Sequence, residues 1–141
     1  MDLLDTLHIS ASGLSAQRLR LKTIASNMAN AKSTRGPDGS EPYRRKLAVF
    51  ETKPVGSFDD ELDRELSRVQ VSQITESKAP FKKVFDPSHP DSDDDGYVLY
   101  PNVDILNEMV DMMNTSRSYE ANTNVVETTY QMAMKALEIG R

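Results

Sequence analysis

Apolar residues recur in alternating steps of three and four from Leu4, through Leu7, Ala11, Leu14, Arg18, Leu21, Ala25 and Met28, with Arg18 the only polar member. A two-in-seven seam held for more than three heptads predicts a helix packed lengthwise on another helix. The stem of Arg18 can lie along such a seam while its guanidinium reaches water or an acid. The same steps recur from Ile105 through Met109, Met112, Ser116, Tyr119, Thr123, Val126, Tyr130, Ala133 and Leu137, of which eight of ten are apolar or aromatic. Pro101 and Asn102 supply a start signal, and Asp104 puts negative charge in the first turn, where the helix dipole favours it. Gly140 stands where a C-terminal cap belongs. Helices are expected from Leu3 to Asn30 and from Val103 to Ile139, roughly 42 and 55 Å long at ~1.5 Å per residue.

Charge sets their expected relative direction. The first helix begins with Asp2 and Asp5 and later carries Arg18, Arg20 and Lys22; the second opens with Asp104, Glu108 and Asp111 and ends with Lys135 and Arg141. Antiparallel pairing brings opposite charges together at both ends. Each exposed pair contributes about 0.2–1 kcal/mol at most, so charge chooses orientation more than it stabilises.

Between the helices the period changes. Gly36-Pro37-Asp38-Gly39 is turn chemistry. Tyr43–Glu51 and Val69–Thr75 read as strands, Phe81–Phe85 more weakly so, and Gly96–Tyr100 as a further short strand after the loop Asp86–Gly96. Tyr43, Phe50, Phe58, Phe81, Phe85, Tyr97 and Tyr100 could fill a small core here. The expected fold class is therefore mainly α with a small β part. Long terminal helices (1–32 and 102–141) pair as an antiparallel coiled coil, and residues 33–101 form a short irregular or β middle segment.

Composition narrows the function. Of 141 residues 38% are hydrophobic and 28% charged, with no Trp and four Phe, which suits narrow helical seams better than an enzyme core. The net charge of −5 leaves no basic footprint for nucleic acid; Arg18–Lys22 and Arg44–Lys46 are the basic clusters, and neither is interleaved with aromatics. There is no cysteine, hence no thiol chemistry, and no run of ~20 apolar residues for membrane insertion. The first thirty residues start acidic and are periodic rather than contiguous in their apolar positions, so no cleaved signal peptide is expected.

Candidate chemistry is sparse. Asp91-Ser92-Asp93-Asp94-Asp95-Gly96 matches the opening of a calcium loop, which makes Asp91, Asp93 and Asp95 weak metal candidates. The match fails at the twelfth position, where Asn102 replaces the bidentate glutamate, and Pro87 and Pro90 bar an entering helix; a solvated acidic turn is the plainer reading. His8 and His89 have no partner at helical spacing. No nucleophile elbow, phosphate loop or dinucleotide fingerprint occurs, so neither catalysis nor a cofactor is expected. Met109, Met112, Met113, Met132 and Met134 fit either core filling or a surface that must suit several neighbours.

Ala25-Ser26-Asn27-Met28-Ala29-Asn30-Ala31, then Thr34 and Tyr43-Arg44-Arg45, resembles the amino-terminal signature of the flagellar axial proteins, the rod and hook family. Asp86-Pro87-Ser88-His89-Pro90, Gly96-Tyr97-Val98, Pro101-Asn102-Val103-Asp104, Ser116–Asn122 and Leu137–Arg141 are similar to blocks of its proximal-rod members; the Asp93–Asp95 run is more acidic than usual. The resemblance covers nearly the whole chain. It implies a structural subunit of the periplasmic rod that carries torque, with paired terminal helices in the rod's inner layer and the middle outside. It further implies assembly with copies of itself and other flagellar rod proteins, and export unfolded through the flagellar type III apparatus. The expected assembly interface is the two seams (Leu4, Leu7, Ala11, Leu14, Leu21, Ala25, Met28; Ile105, Met109, Met112, Tyr119, Val126, Tyr130, Ala133, Leu137) with Asn27 and Asn30 from the signature. Neighbours would also bury Leu3, Ile24, Leu106, Val110 and Val125. Two alternatives stand beside this reading: another proximal-rod subunit of the family, or a coiled-coil adaptor with a calcium-responsive acidic loop.

Overall fold

The computed structural model describes residues 3–36, 41–54 and 67–140. Helix α1 spans Leu3–Ala29 and helix α2 spans Ile105–Ile139. Between them lie two separate two-stranded antiparallel sheets, β1 (Lys46–Pro54) with β2 (Ser67–Glu76), and β3 (Lys82–Phe85) with β4 (Tyr97–Tyr100). Mainly α with a small β part is thus the observed class. Pro37, Asp38, Gly39 and Phe58 lie outside the described residues; Gly36 N–H donates to Glu41 C=O at 2.7 Å.

The caps explain the ends of α2. Asp104 is itself the N-cap, one position before the helix rather than inside its first turn, and its carboxylate accepts from Leu106 N–H at 3.0 Å. Gly140 caps the other end through its N–H to Ala136 C=O at 3.3 Å, with an ordinary φ of −83° rather than a left-handed one. The only described positive φ is that of Gly96, +78°, just before β4; a Cβ there would also meet Phe85 Cε2 at 3.0 Å.

The helices run antiparallel. Asn27 bonds Glu108 at one end, and farther along the space at Gly13 is closed by Asn122, 2.9 Å from where a Cβ would stand; residue numbers total 135 in both contacts. That register sets Thr6 opposite Thr129 and Leu3 opposite Met132. Residues 133–139 of α2 therefore run on past Leu3 for about two turns, ~10 Å.

The face used for pairing differs from the expected seam. The inward positions of α1 are Thr6, Ser10, Gly13, Gln17, Arg20, Ile24 and Asn27; those of α2 include Glu108, Asp111, Thr115, Asn122 and Thr129. Each set is the apolar seam moved back by one residue, a rotation of about 100° for each helix. Glu108, Thr115, Asn122 and Thr129 form a polar heptad line, met by Thr6, Gly13, Arg20 and Asn27. Leu7, Leu14, Leu21 and Met28 end up half-buried beside the contact, while Leu4, Ala11, Arg18 and Ala25 are exposed. The physical reason is size and hydrogen bonding: small polar side chains let the helices approach, and the hydroxyls of Thr115 and Thr129 bond back to Asp111 C=O and Val125 C=O at 2.6 and 2.7 Å.

The core is thin. Among the described residues the fully buried hydrophobic ones are Ala16, Ile24, Val98 and Val103. Ile24 is thus covered within the chain and is not left for a neighbour. The β1–β2 hairpin lies on α1 through Ala48, Phe50, Val69 and Val71, with Val69 N–H donating to Ser12 Oγ at 3.2 Å and a bulge between Val49 and Phe50. The middle aromatics do not gather into one core. Phe85 and Tyr97 form an exposed edge-on pair with centroids 5.3 Å apart, and Phe81 lies half-buried under the Arg44 guanidinium at 4.3 Å.

Candidate functional site

The segment after the first turn never enters a strand at Tyr43. Residues 43–45 are instead held by hydrogen bonds to three other parts of the chain, and β1 starts at Lys46. At the centre is Asn27, 1% exposed. Its Nδ2 donates to Lys46 C=O at 2.9 Å and to Glu108 Oε2 at 3.0 Å, and its Oδ1 accepts from Lys46 N–H and Tyr43 O–H, both at 2.9 Å.

Glu108 is 0% exposed, yet its other oxygen takes Arg45 Nε at 2.5 Å, so both carboxylate oxygens are satisfied. A buried carboxylate is tolerated only with such partners. Arg45 also reaches Asp111 Oδ2 at 3.4 Å, and its main-chain N–H donates to Asn102 Oδ1 at 2.8 Å. Asn102 in turn donates to Ala79 C=O at 3.0 Å. One clasp thereby joins α1, the 43–46 segment, the 77–79 segment and the start of α2. The expected pairing of Arg20 with the acids of α2 does occur, at 3.8 Å to Asp111, but both groups are more than a third exposed and the pair contributes about 0–1 kcal/mol.

A second tether ties the first loop to the acidic one. Thr34 Oγ1 donates to Asp91 Oδ2 at 2.7 Å, and Arg35 pairs with the other oxygen. The Thr34 hydrogen bond, with help from Arg35, holds the Asp91 carboxyl below the usual carboxylate range against the opposing effect of desolvation. Asp86 is likewise lowered, by the side-chain and backbone hydrogen bonds of Ser88. Asp91 N–H donates to His89 Nδ1 at 3.1 Å. Asp93 and Asp95 are exposed, and among the described residues no three metal-ligating side chains converge. The calcium-loop arrangement is not formed: its first acid is committed to Thr34 and Arg35, and the segment is the tip of the β3–β4 hairpin.

The expected interface residues fall into three groups. Asn27 belongs to the clasp and faces no solvent, and Asn30 folds back, Nδ2 to Ser26 C=O at 2.8 Å. Leu4, Ala25, Ile105, Met109, Tyr119, Tyr130 and Leu137 are exposed; Leu7, Leu14, Leu21, Met28, Met112, Val126 and Ala133 flank the helix contact half-buried. Leu106, Val110 and Val125 are exposed as expected. The result is a hairpin whose inner line is polar and whose open flank is apolar over most of its length.

The sequence pattern counts Glu108 among the acids that set the antiparallel direction and Asn102 among the start signals, and neither points to the clasp. The heptad repetition of Glu108, Thr115, Asn122 and Thr129, one residue out of phase with the apolar seam, was the available signal.

Residues 7–37 match the family described as Flagella basal body rod protein, and residues 94–139 match the family described as Flagellar basal body rod FlgEFG protein C-terminal. These two stretches hold α1 from Leu7 onward with the Thr34–Arg35 tether, and β4 with α2. The chain is 44% identical to Flagellar basal-body rod protein FlgC of Bacillus subtilis, over 96% of this chain and 97% of that protein. It is 44% identical to the protein of that name from Salmonella typhimurium over 100% of both chains, and 40% identical to that of Borreliella burgdorferi over 99% and 98%. At this identity over the full length of both partners, the chain belongs to the flagellar basal-body rod protein family, among the proteins named FlgC.

Proposed function

We propose that this chain is a structural subunit of the proximal part of the flagellar rod, working through packing against other rod subunits and without catalysing a reaction. One observation carries the mechanism: polar residues close the hairpin from within, which leaves the apolar seams of both helices open along its flank. A chain folded alone has nothing to cover them, and an exposed apolar surface of this extent marks a protein contact. Neighbouring subunits supply the cover, so final ordering is coupled to assembly, and torque passes through the packed helices as one body.

The terminal helices (1–32 and 102–141) form the inner layer in this reading, and residues 33–101 the outer part. The rod position is periplasmic. Export through the flagellar type III apparatus belongs to this reading.

Substituting Met109→Asp and Tyr130→Asp tests the reading. Both side chains are exposed in the isolated chain, so monomer stability should change by no more than about 0.5 kcal/mol. In cells whose own copy of the gene is deleted, the double variant should abolish swimming and be missing from isolated basal bodies, whereas the unaltered chain restores both. Full swimming by the double variant would refute the open seam as the assembly surface.

A further inference from the structure

Arg18 interrupts the open apolar flank of α1. Its row is Leu4, Ala11, Arg18 and Ala25, all exposed, at seven-residue spacing. Half-buried Leu14 and Leu21 lie one helical turn to either side of it. The ion pairs of the described residues engage Arg20, Arg35, Arg44 and Arg45, and none reaches Arg18.

The acids at the start of α2 are already taken. Glu108 is bonded by Asn27 and Arg45, Asp111 is shared by Arg20 and Arg45, and Asp104 caps its own helix. Lys22, one turn beyond Arg18, is also exposed and outside these ion pairs. Two like charges therefore stand at the i,i+4 spacing at which they repel. Water answers both while the flank is open. Once a neighbour covers the flank, the guanidinium is enclosed among apolar side chains, and an enclosed charge without a partner is strongly disfavoured.

We propose that the neighbouring subunit presents a carboxylate to Arg18, from an acidic residue set within the otherwise apolar face of the helix it packs there. This rests on the rod-subunit reading and adds the residue that selects partner and register. Apolar side chains tolerate many registers. The charge is matched only where the acid meets it, so a different neighbour, or the right one slid along the flank, strands it. Such a pair stabilises little more than an apolar contact would, and its effect lies in the alternatives it forbids. The planar guanidinium suits the task, since its N–H donors meet both oxygens of one carboxylate.

Arg18→Lys, Arg18→Met and Arg18→Glu, all in the full-length chain, are produced from an inducible promoter in cells lacking their own copy. Arg18 is exposed, so circular dichroism of each purified variant should match that of the unaltered chain. Half-normal swimming should need about 30-fold more of Arg18→Met than of the unaltered chain, since the neighbour's carboxylate is then enclosed alone. Arg18→Glu should not swim at any level. In isolated basal bodies treated with a water-soluble carbodiimide, the amine of Arg18→Lys should form an amide with an Asp or Glu of a neighbouring subunit, read as a cross-linked peptide by mass spectrometry. Lys22 of the unaltered chain, one turn away, is the second reporter should Arg18→Lys fail to assemble. Swimming by Arg18→Met at the level of the unaltered chain would overturn the proposal, because water or an apolar surface then faces position 18. So would the lack of any link from either amine to a neighbouring carboxylate, in basal bodies where other lysines do link. Absence of the unaltered chain itself from basal bodies would instead refute the rod-subunit reading, and the proposal with it.

Discussion

Asn27 of α1 donates to the Glu108 carboxylate of α2 at 3.0 Å while accepting, on its own amide oxygen, from the N–H of Lys46 at the start of β1. One amide thus bridges the two helices and anchors the first strand. Asn27 and Glu108 are buried and Lys46 is half-buried, so removing a partner strands at least one buried polar group.

Removing Asn27 should therefore be severe for so small a change. Asn27→Ala is expected to lower the unfolding free energy by about 2–3 kcal/mol, since several buried groups lose a bond. Arg45→Ala should cost about 3–5 kcal/mol because it strands a buried carboxylate, and adding Glu108→Leu should recover most of that loss. Urea unfolding followed by circular dichroism measures all three. Single variants within about 0.5 kcal/mol of the unaltered chain would show that the clasp does not hold the fold.

Stability should also be graded along the hairpin. The clasp end joins both helices to the sheets, whereas the last two turns of α2 extend beyond the described residues of α1. Hydrogen exchange of the isolated chain should show strong protection over residues 20–29 and 105–118 and little beyond Thr129. Circular dichroism should accordingly report less helix than the 27 and 35 residues of α1 and α2 require. Uniform slow exchange through Ile139 would mean that the hairpin is self-sufficient without neighbours.

Acid should release the tether between the two loops. The folded Asp91 carboxyl titrates below its unfolded value, so its contribution is present above about pH 4, the ordinary Asp range, and is lost as pH falls through the folded value. Carboxyl resonances followed by NMR titration should place Asp91 below the ordinary Asp range, and Thr34→Val should raise it towards that range. An Asp91 titration unmoved by Thr34→Val would remove that hydrogen bond as the cause.

Much of this architecture could be read from period alone. Helix bounds, antiparallel direction and the existence of short strands followed from apolar spacing, end charges and turn residues. The face of pairing did not. A seam calculation assumes that apolar side chains seek the nearest partner helix, which is true of a self-contained coiled coil. Here Leu4 and Leu137 stay outside while Ser10 and Thr129 go in, because the chain keeps its apolar flank open. The clasp was hidden for a related reason. Asn27, Arg45 and the stretch holding Asn102 and Glu108 are far apart in sequence, and ordinary propensity explains each as a surface or cap residue. Only the fold shows that they meet.

The polar heptad line has a mechanical consequence. A contact of interchangeable leucines could slide by seven residues and find similar partners in the new position. Sliding this hairpin by seven would bring Asn27 to Thr115 and leave the Glu108 carboxylate facing no amide, a loss of about 1–3 kcal/mol for each stranded group. A shaft made of such parts has no backlash at this joint: shear between the two helices meets a single latched position.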